Sequence, residues 1–168
     1  MKTKKITVKS KPKRLALSAP ASEQEQLEYE KDFSKWANNQ ARLLKKREFS
    51  KLDIDNLIEE IEDLSKRERQ RLTSYLENLL MHKLKVEYQP EMHTVSWDAS
   101  IKESNFKVQN TLSENPSLKP KLKEILEKAY FAARLKAVVE TKLKENTFPE
   151  KCPWNLKDIF PNLEKKYH

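Results

Sequence analysis

A row of polar side chains recurs along and just beyond the segment predicted as the third helix. Its members are spaced 4, 3, 4, 3 and 4 residues apart: Arg71, Tyr75, Asn78, His82, Lys85 and Gln89. At about 100° per residue, this spacing places them on one helix face beside a leucine stripe. A histidine that lines a cleft can act as an acid, a base or a metal ligand. The row therefore indicates either a cleft wall with His82 as its reactive group, or a solvated flank in which Tyr75 and His82 make local hydrogen bonds.

An acidic run precedes this row and supplies a carboxylate that could work with the histidine. The run comprises Glu59, Glu60, Glu62 and Asp63. If the second and third predicted helices pack as neighbours, Glu60 could face Arg71, Tyr75 or His82. A Glu–His pair supports general acid–base catalysis, and it equally makes a structural ion pair. The H-E-x-x-H and Glu-x-x-His patterns of helical metal sites are absent, so no metal site is predicted.

The segment Tyr88–Trp97 is the loop richest in side chains that could bind a ligand. Ser96 is placed as the N-cap of the fourth helix. His82, Gln89 and His93 are predicted to converge near this loop. The candidate binding residues are therefore Arg71, Tyr75, Lys85, Gln89, His93 and Trp97.

The composition excludes several classes of protein. The 168 residues include no glycine, although glycine supplies the positive φ on which hairpin turns and phosphate-binding loops depend. A β-rich fold, a Walker loop and a dinucleotide-binding fingerprint are therefore not expected, and no cofactor is predicted. The single cysteine, Cys152, cannot form an internal disulfide and is expected to be a packing residue. No apolar run approaches the roughly 18 residues of a transmembrane helix, so the sequence favours an intracellular, cytoplasmic protein.

Almost all of the net charge lies at the N-terminus. The net charge is +8, and residues 1–21 contribute seven basic residues and no acid, which leaves 27 basic against 26 acidic residues elsewhere. A segment of this composition cannot offset its ordering entropy by burial, so residues 1–21 are predicted to be a disordered tail and residues 22–168 a single helical domain. The tail is either a solubilising segment or an arm for RNA, DNA or anionic lipid. Lys11, Lys13 and Arg14 also match a nuclear-targeting signal, which would suit a translocated effector.

The hydrophobic periodicity predicts an all-α bundle of five to six helices. The predicted helices cover residues 22–47, 53–64, 66–87, 95–112, 116–144 and 155–160. A capping-box pattern at Ser65 and Glu68 favours a break or bend between the second and third helices, and one continuous helix is the alternative. Phe33 and Trp36 are expected to anchor the first helix in the core. The apolar stripe of the second helix comprises Ile54, Leu57, Ile58, Ile61 and Leu64, and that of the fifth helix includes Leu135 and Val138.

Four motifs follow one another along residues 29 to about 160. They are Tyr29-Glu30-x-Asp32-Phe33-x-x-Trp36-Ala37, the acidic run Leu57 to Leu64, the central segment Leu79 to Trp97, and Phe148-Pro149-Glu150-x-Cys152-Pro153. Together they resemble the bacterial family called domain of unknown function 29, DUF29. The family often has leucine in place of Lys83 and an aromatic residue in place of Val86. The resemblance implies an all-α fold with no assigned activity, and it makes one family feature of His82, Lys85, Gln89, Pro90, Ser96 and Trp97.

The sequence therefore favours a non-enzymatic helical module that binds a macromolecular partner, either a protein or a nucleic acid. The basic tail would add electrostatic attraction to an anionic surface. The alternative is a small hydrolase or nuclease that uses the neighbourhood of His82 and Glu60. An effector or antitoxin-like protein with one specific protein partner is a third interpretation.

Overall fold

The computed structural model describes residues 28–161. Within this range every regular element is helical, and no strand occurs, which confirms the predicted all-α class. A helical turn at residues 28–31 comes first. The α-helices that follow are α1 (Phe33–Lys46), α2 (Ile54–Tyr88), α3 (Val95–Glu114), α4 (Leu122–Thr141) and α5 (Leu156–Ile159). The predicted tail at residues 1–21, with Lys11, Lys13 and Arg14, and the predicted helix start at Ser22 lie outside the described residues.

Short 3₁₀ turns connect the helices. They are Phe49–Lys51, Pro90–Met92, Pro116–Lys121 and Glu145–Thr147. The third of these corrects the prediction of one α-helix over residues 116–144: the segment around Pro120 is a 3₁₀ helix, and α4 begins only at Leu122. Proline lacks the N–H that an α-helix needs, so it is tolerated only near a helix start. At its other end, α4 stops at Lys142, which has a φ of 60°.

Two other predicted boundaries are corrected. The first predicted helix is interrupted at Asp32, whose φ of −146° is not helical and whose carboxylate accepts a hydrogen bond from the backbone N–H of Lys35. The expected break near Ser65 is wrong, because α2 is continuous for 35 residues. Its sequence contains neither proline nor glycine, so nothing in it disfavours the α conformation, and the capping-box pattern remains unused in mid-helix.

The described chain divides into two compact units, with the boundary between Glu62 and Asp63, inside α2. In the first unit, Trp36 is 2% exposed and donates its indole N–H to the buried carboxylate of Asp53 at 3.0 Å. The side-chain oxygen of Gln40 accepts the backbone N–H of Asp53 at 3.0 Å. The Asp53 carboxylate also accepts hydrogen bonds from the backbone N–H and the side-chain amide of Asn56, so it stabilises the first turn of α2.

Several apolar residues that were expected in the core are exposed. Phe33 packs edge-on against Tyr29 and beside Trp36 but remains 49% exposed, so only the tryptophan is a core anchor. Three members of the predicted stripe on the second helix are also exposed: Ile58, Ile61 and Leu64. Helical periodicity defines an apolar face, but it does not state whether another element covers that face.

The core of the second unit is built around the leucine stripe of α2. The stripe residues Leu72, Leu76, Leu79, Leu80 and Leu84 are at most 1% exposed, as their spacing predicted. They pack in one cluster with residues of α3, α4 and the C-terminal segment: Val108, Leu112, Leu122, Ala129, Ala133, Phe148, Ile159 and Phe160.

The extended segment after α4 is held to that helix by polar contacts. The Tyr130 hydroxyl donates to the carbonyl of Pro149 at 2.7 Å, and the Arg134 guanidinium donates to the carbonyl of Phe148 at 3.2 Å. Burial raises the pKa of Tyr130 to about 12, so this hydroxyl keeps its proton and remains a donor. The segment then enters α5 through a capping box between Asn155 and Asp158, so the short predicted helix is confirmed.

Candidate functional site

A buried lysine stands at the centre of the polar row that the sequence singled out. Lys85 on α2 is 8% exposed, and its ammonium lies 2.5 Å from a carboxylate oxygen of Glu140 on α4. The same ammonium lies 4.3 Å from the centre of the Trp97 indole ring on α3. A cation over an aromatic face is attracted by the ring quadrupole, and more strongly where water is excluded. Three helices therefore converge on one charge.

His82 lies one helical turn before this lysine and shares its surroundings. Its Nδ1 atom is buried, and no hydrogen-bond partner for it exists among the described residues. Burial lowers the pKa of His82, the Lys85 charge lowers this pKa further, and the Glu140 charge opposes the shift. The imidazole is therefore neutral at pH 7, with a lone pair or an N–H that nothing in the described chain satisfies.

The remaining members of the polar row have separate partners within the second unit. Arg71 pairs with Glu68 at 3.0 Å, one turn earlier on the same helix. The Tyr75 ring lies 5.5 Å from the Lys107 ammonium, and the Asn78 amide donates to the hydroxyl of Ser104 at 2.8 Å. Tyr75 and Asn78 thus contact α3, whereas the Arg71 pair lies within α2.

Residues at the predicted loop have other neighbours, and the convergence of His82, Gln89 and His93 stays a prediction. The backbone N–H of Gln89 donates to the carbonyl of Lys85, and this bond closes the end of α2. His93 lies 2.9 Å from a carboxylate oxygen of Asp98, and its ring centre is 6.2 Å from that of Trp97. The N-cap of α3 is Thr94, and Ser96 lies inside the helix. Trp97 is thus a neighbour of both Lys85 and His93.

The catalytic carboxylate predicted from sequence, Glu60, has a partner of its own in the first unit. Its carboxylate accepts the hydroxyl of Tyr29 at 2.7 Å. The carboxylate that acts electrostatically on His82 in the second unit is Glu140. The pairing of Glu60 with His82 stays a prediction.

Sequence reasoning missed two members of this site. Glu140 occurs as one acid in a helix of mixed charge, and Ser104 belongs to a segment interpreted only by its apolar residues. Neither lies in a recognisable motif, because each meets its partner, Lys85 or Asn78, across more than twenty residues of sequence. A signal for Glu140 was nevertheless available: a buried lysine requires a counter-charge, and Lys85 interrupts an otherwise leucine-rich stretch.

The outer face of α4 carries an exposed apolar stripe, defined by Phe131, Leu135 and Val139. These side chains are 65%, 43% and 76% exposed. Each follows a fully buried alanine by two positions, a rotation of about 200° about the helix axis. The core position predicted for Leu135 is therefore wrong, and α4 is apolar on two opposite faces. A helix that is apolar all round is normally buried on all sides.

A groove of about 950 Å³ runs along the other end of α4. One side of the groove is formed by residues 150–157, which include Cys152. The apolar and aromatic lining residues include Leu126, Tyr130, Trp154 and Leu156. The Trp154 ring is also stacked under the ammonium of Lys83 at 4.7 Å. Cys152 is partly buried, as expected of a packing residue, and burial raises the pKa of its thiol. The groove is thus predominantly apolar with a weakly reactive thiol.

Neither a metal cage nor a membrane span emerges from residues 28–161. In that part of the chain, no three His, Cys, Asp or Glu side chains come together in a way that could hold a metal ion. None of the helices there combines the length with the apolar composition that a bilayer crossing requires.

The fold and these contacts define the class: an all-α protein whose helices converge on a buried lysine. The family described as Domain of unknown function DUF29 matches residues 28–163, and the chain belongs to this family. The resemblance drawn from its four motifs is therefore confirmed. No curated protein and no solved structure matches the chain significantly. Of the residues that the resemblance grouped together, Lys85 and Trp97 are in contact here, and His82 feels the charges of Lys85 and Glu140.

Proposed function

We propose that this protein is a helical module that binds a protein partner through the outer face of α4. The observation that supports the proposal is the stripe of Phe131, Leu135 and Val139 on a helix whose opposite face is already buried. Single exposed apolar residues are ordinary on a protein surface, but a contiguous stripe indicates an interaction site. Apolar side chains cannot pair with phosphate oxygens, so a protein is a better candidate for the partner than a nucleic acid.

The spacing of the stripe favours a helix as the contacting element of the partner. Residues four apart form a ridge on a helix surface, and such a ridge fits the groove of a second helix. Fully burying one large apolar side chain contributes about 1.5–3 kcal/mol, or roughly 10- to 100-fold in affinity. Phe131 is thus the residue expected to contribute most.

The test places a photo-crosslinking amino acid at Leu135 in cells that produce the full chain. The matched control carries the same amino acid at Phe106, which is 70% exposed on α3 and outside the stripe. A protein crosslinked from position 135 and not from 106 would be purified and titrated against the chain. We expect Phe131→Glu to weaken that binding at least tenfold and Phe106→Glu to leave it unchanged. Equal crosslinking from both positions would remove the support for this surface.

We further propose that the basic residues 1–21 increase the rate and strength of binding to an acidic partner. The relevant charges include Lys11, Lys13 and Arg14. Replacing these three by serine in the full chain should reduce the salt dependence of the affinity, because exposed charges act through screened attraction. An unchanged salt dependence would exclude a contribution from these residues.

One observation favours hydrolysis as a second candidate function. The imidazole of His82 has a buried nitrogen that no group within residues 28–161 satisfies, and the charges of Lys85 and Glu140 act on it. A neutral imidazole can accept a proton from an attacking water. Activity of the purified chain against RNA or ester substrates should then disappear in His82→Ala. The candidate is discarded if the wild-type chain has no activity or if the variant retains it.

A further inference from the structure

We propose that the partner that covers the exposed apolar stripe of α4 is a second copy of this chain. The stripe, a ridge formed by Phe131, Leu135 and Val139, is complementary to a copy of itself. This inference rests on the proposed function and identifies its partner. Ridges of residues four apart form the commonest class of helix–helix contact, and a two-fold axis pairs such a ridge with its own copy. A two-fold axis through Leu135 would bring Leu135 of each copy together. It would also set Phe131 of one copy against Val139 of the other, so the largest side chain of the ridge meets the smallest.

The charges at the two ends of the ridge support the antiparallel arrangement. Glu127 precedes Phe131 by one helical turn and lies on the same face of α4. Lys142, the left-handed residue at which α4 ends, follows Val139 by three residues, and both charged residues are exposed. Neither forms an ion pair within the described chain. The midpoint between them falls within one position of Leu135. A two-fold axis there places each Glu127 near Lys142 of the other copy, which is the reciprocity that an isologous interface requires.

The size of the stripe sets the expected strength of the dimer. A standard interface uses roughly 20–30 residues a side, whereas the ridge offers three apolar residues and two charges per copy. The dimer should therefore exchange with monomers, with a dissociation constant on the order of 10–100 µM.

Sedimentation equilibrium of the full chain, from about 5 to about 300 µM at physiological salt, measures this directly. We expect a monomer–dimer equilibrium that Leu135→Glu abolishes and that Phe106→Glu, the matched control on α3, preserves. Circular dichroism verifies that both variants are folded. A chain that remains monomeric across the range, or a dimer that Leu135→Glu leaves intact, overturns the inference.

Charge exchange tests the orientation of the two copies. Glu127→Lys and Lys142→Glu should each weaken the dimer about fivefold, since each change alters two symmetry-related contacts, and the double variant should recover the original affinity. Additive losses in the double variant would contradict the antiparallel arrangement.

A cysteine placed at the axis provides a second readout that does not depend on a destabilising change. With helix axes about 8–10 Å apart and Cα atoms about 2.3 Å from each axis, facing Cα atoms are about 3.4–5.4 Å apart, and a disulfide can span this distance from about 4.4 Å upward. Leu135→Cys in a Cys152→Ser background should give an oxidised dimer, and Phe106→Cys should not. If the chain is monomeric but position 135 crosslinks another protein in cells, the second-copy inference fails and the proposed function stands. If the chain is monomeric and position 135 crosslinks no other protein, the second-copy inference and the proposed function both fail.

Discussion

Replacing Glu140 is expected to destabilise the second unit more than removing the lysine that it neutralises. The Lys85 side chain is 10% exposed, whereas that of Glu140 is 43% exposed. Glu140→Gln removes the counter-charge and leaves the buried ammonium beside the Trp97 ring and a neutral amide oxygen. Lys85→Met keeps the aliphatic stem and leaves a carboxylate that water can reach. The two changes break the same contact, but the charge that each leaves behind differs in its access to solvent.

The magnitude follows from this difference in burial. Removing one partner of a fully buried ion pair costs about 3–5 kcal/mol, because the other charge remains unpaired. This cost is reduced because the Glu140 side of the pair is partly exposed and because glutamine keeps one acceptor oxygen. Glu140→Gln should therefore cost about 2 kcal/mol. Lys85→Met should cost less than about 1 kcal/mol, and the double variant should resemble Lys85→Met, since no buried charge remains in either.

Urea unfolding followed by tryptophan fluorescence and by circular dichroism measures these differences. A cost of 2 kcal/mol corresponds to a midpoint lowered by about 1 M urea. Glu124→Gln is the control on the same helix: its carboxylate pairs with Lys128 at 2.7 Å, both side chains are about two-thirds exposed, and the midpoint should hardly change. If Lys85→Met costs as much as Glu140→Gln, the asymmetry of burial does not govern this pair and the reasoning is wrong.

Three further predictions concern other buried polar groups. Asp53→Ala removes the acceptor of the Trp36 indole and the cap of α2, so the urea midpoint of the first unit should fall by the equivalent of about 2–3 kcal/mol; an unchanged midpoint would contradict this. The pKa of His82 is lower in the folded chain than in the unfolded chain. As the pH falls below about 6.5, the unfolded chain therefore binds the proton first, and the free energy of unfolding decreases. His82→Leu should therefore lose less stability than the wild-type chain between pH 7 and pH 5, and equal losses would exclude this linkage. Since burial raises the pKa of the Cys152 thiol, iodoacetamide should modify it more slowly than free cysteine at pH 7, as followed by mass spectrometry; modification at the same rate would show that the thiol is not protected.

The helical class and the core of the second unit could be predicted because they depend on local patterns. The leucines at residues 72, 76, 79, 80 and 84 recur at helical spacing, and each one is buried. Helix ends were less predictable: the capping-box pattern at Ser65 is equally compatible with a start and with mid-helix. A capping pattern stabilises a helix start but does not create one where the preceding residues are already helical.

The site was predicted in part, and the missing part is non-local. His82, Lys85 and Trp97 were selected from the polar row and the family motifs; Lys85 does contact Trp97, and its charge acts on His82. Glu140 could not be paired with Lys85 from sequence, because 55 residues separate them and many other acids were available. Arg71 was selected by the same periodicity, yet it makes only a local pair with Glu68. Spacing along one helix predicts which residues share a face, but it does not predict which residues of other helices they contact.

The sequence by itself determined that the chain is helical, that its long helices carry apolar faces, and that the net positive charge is concentrated in the first 21 residues. These are properties of neighbouring residues and of composition. Only the tertiary structure decided which apolar faces are covered, as it did for Leu135, which is exposed, and for Ala133, which is not. Likewise, only the packing of α2, α3 and α4 brought one lysine between Glu140 and Trp97. Burial and charge pairing are relations between distant segments, and they arise when those segments pack together.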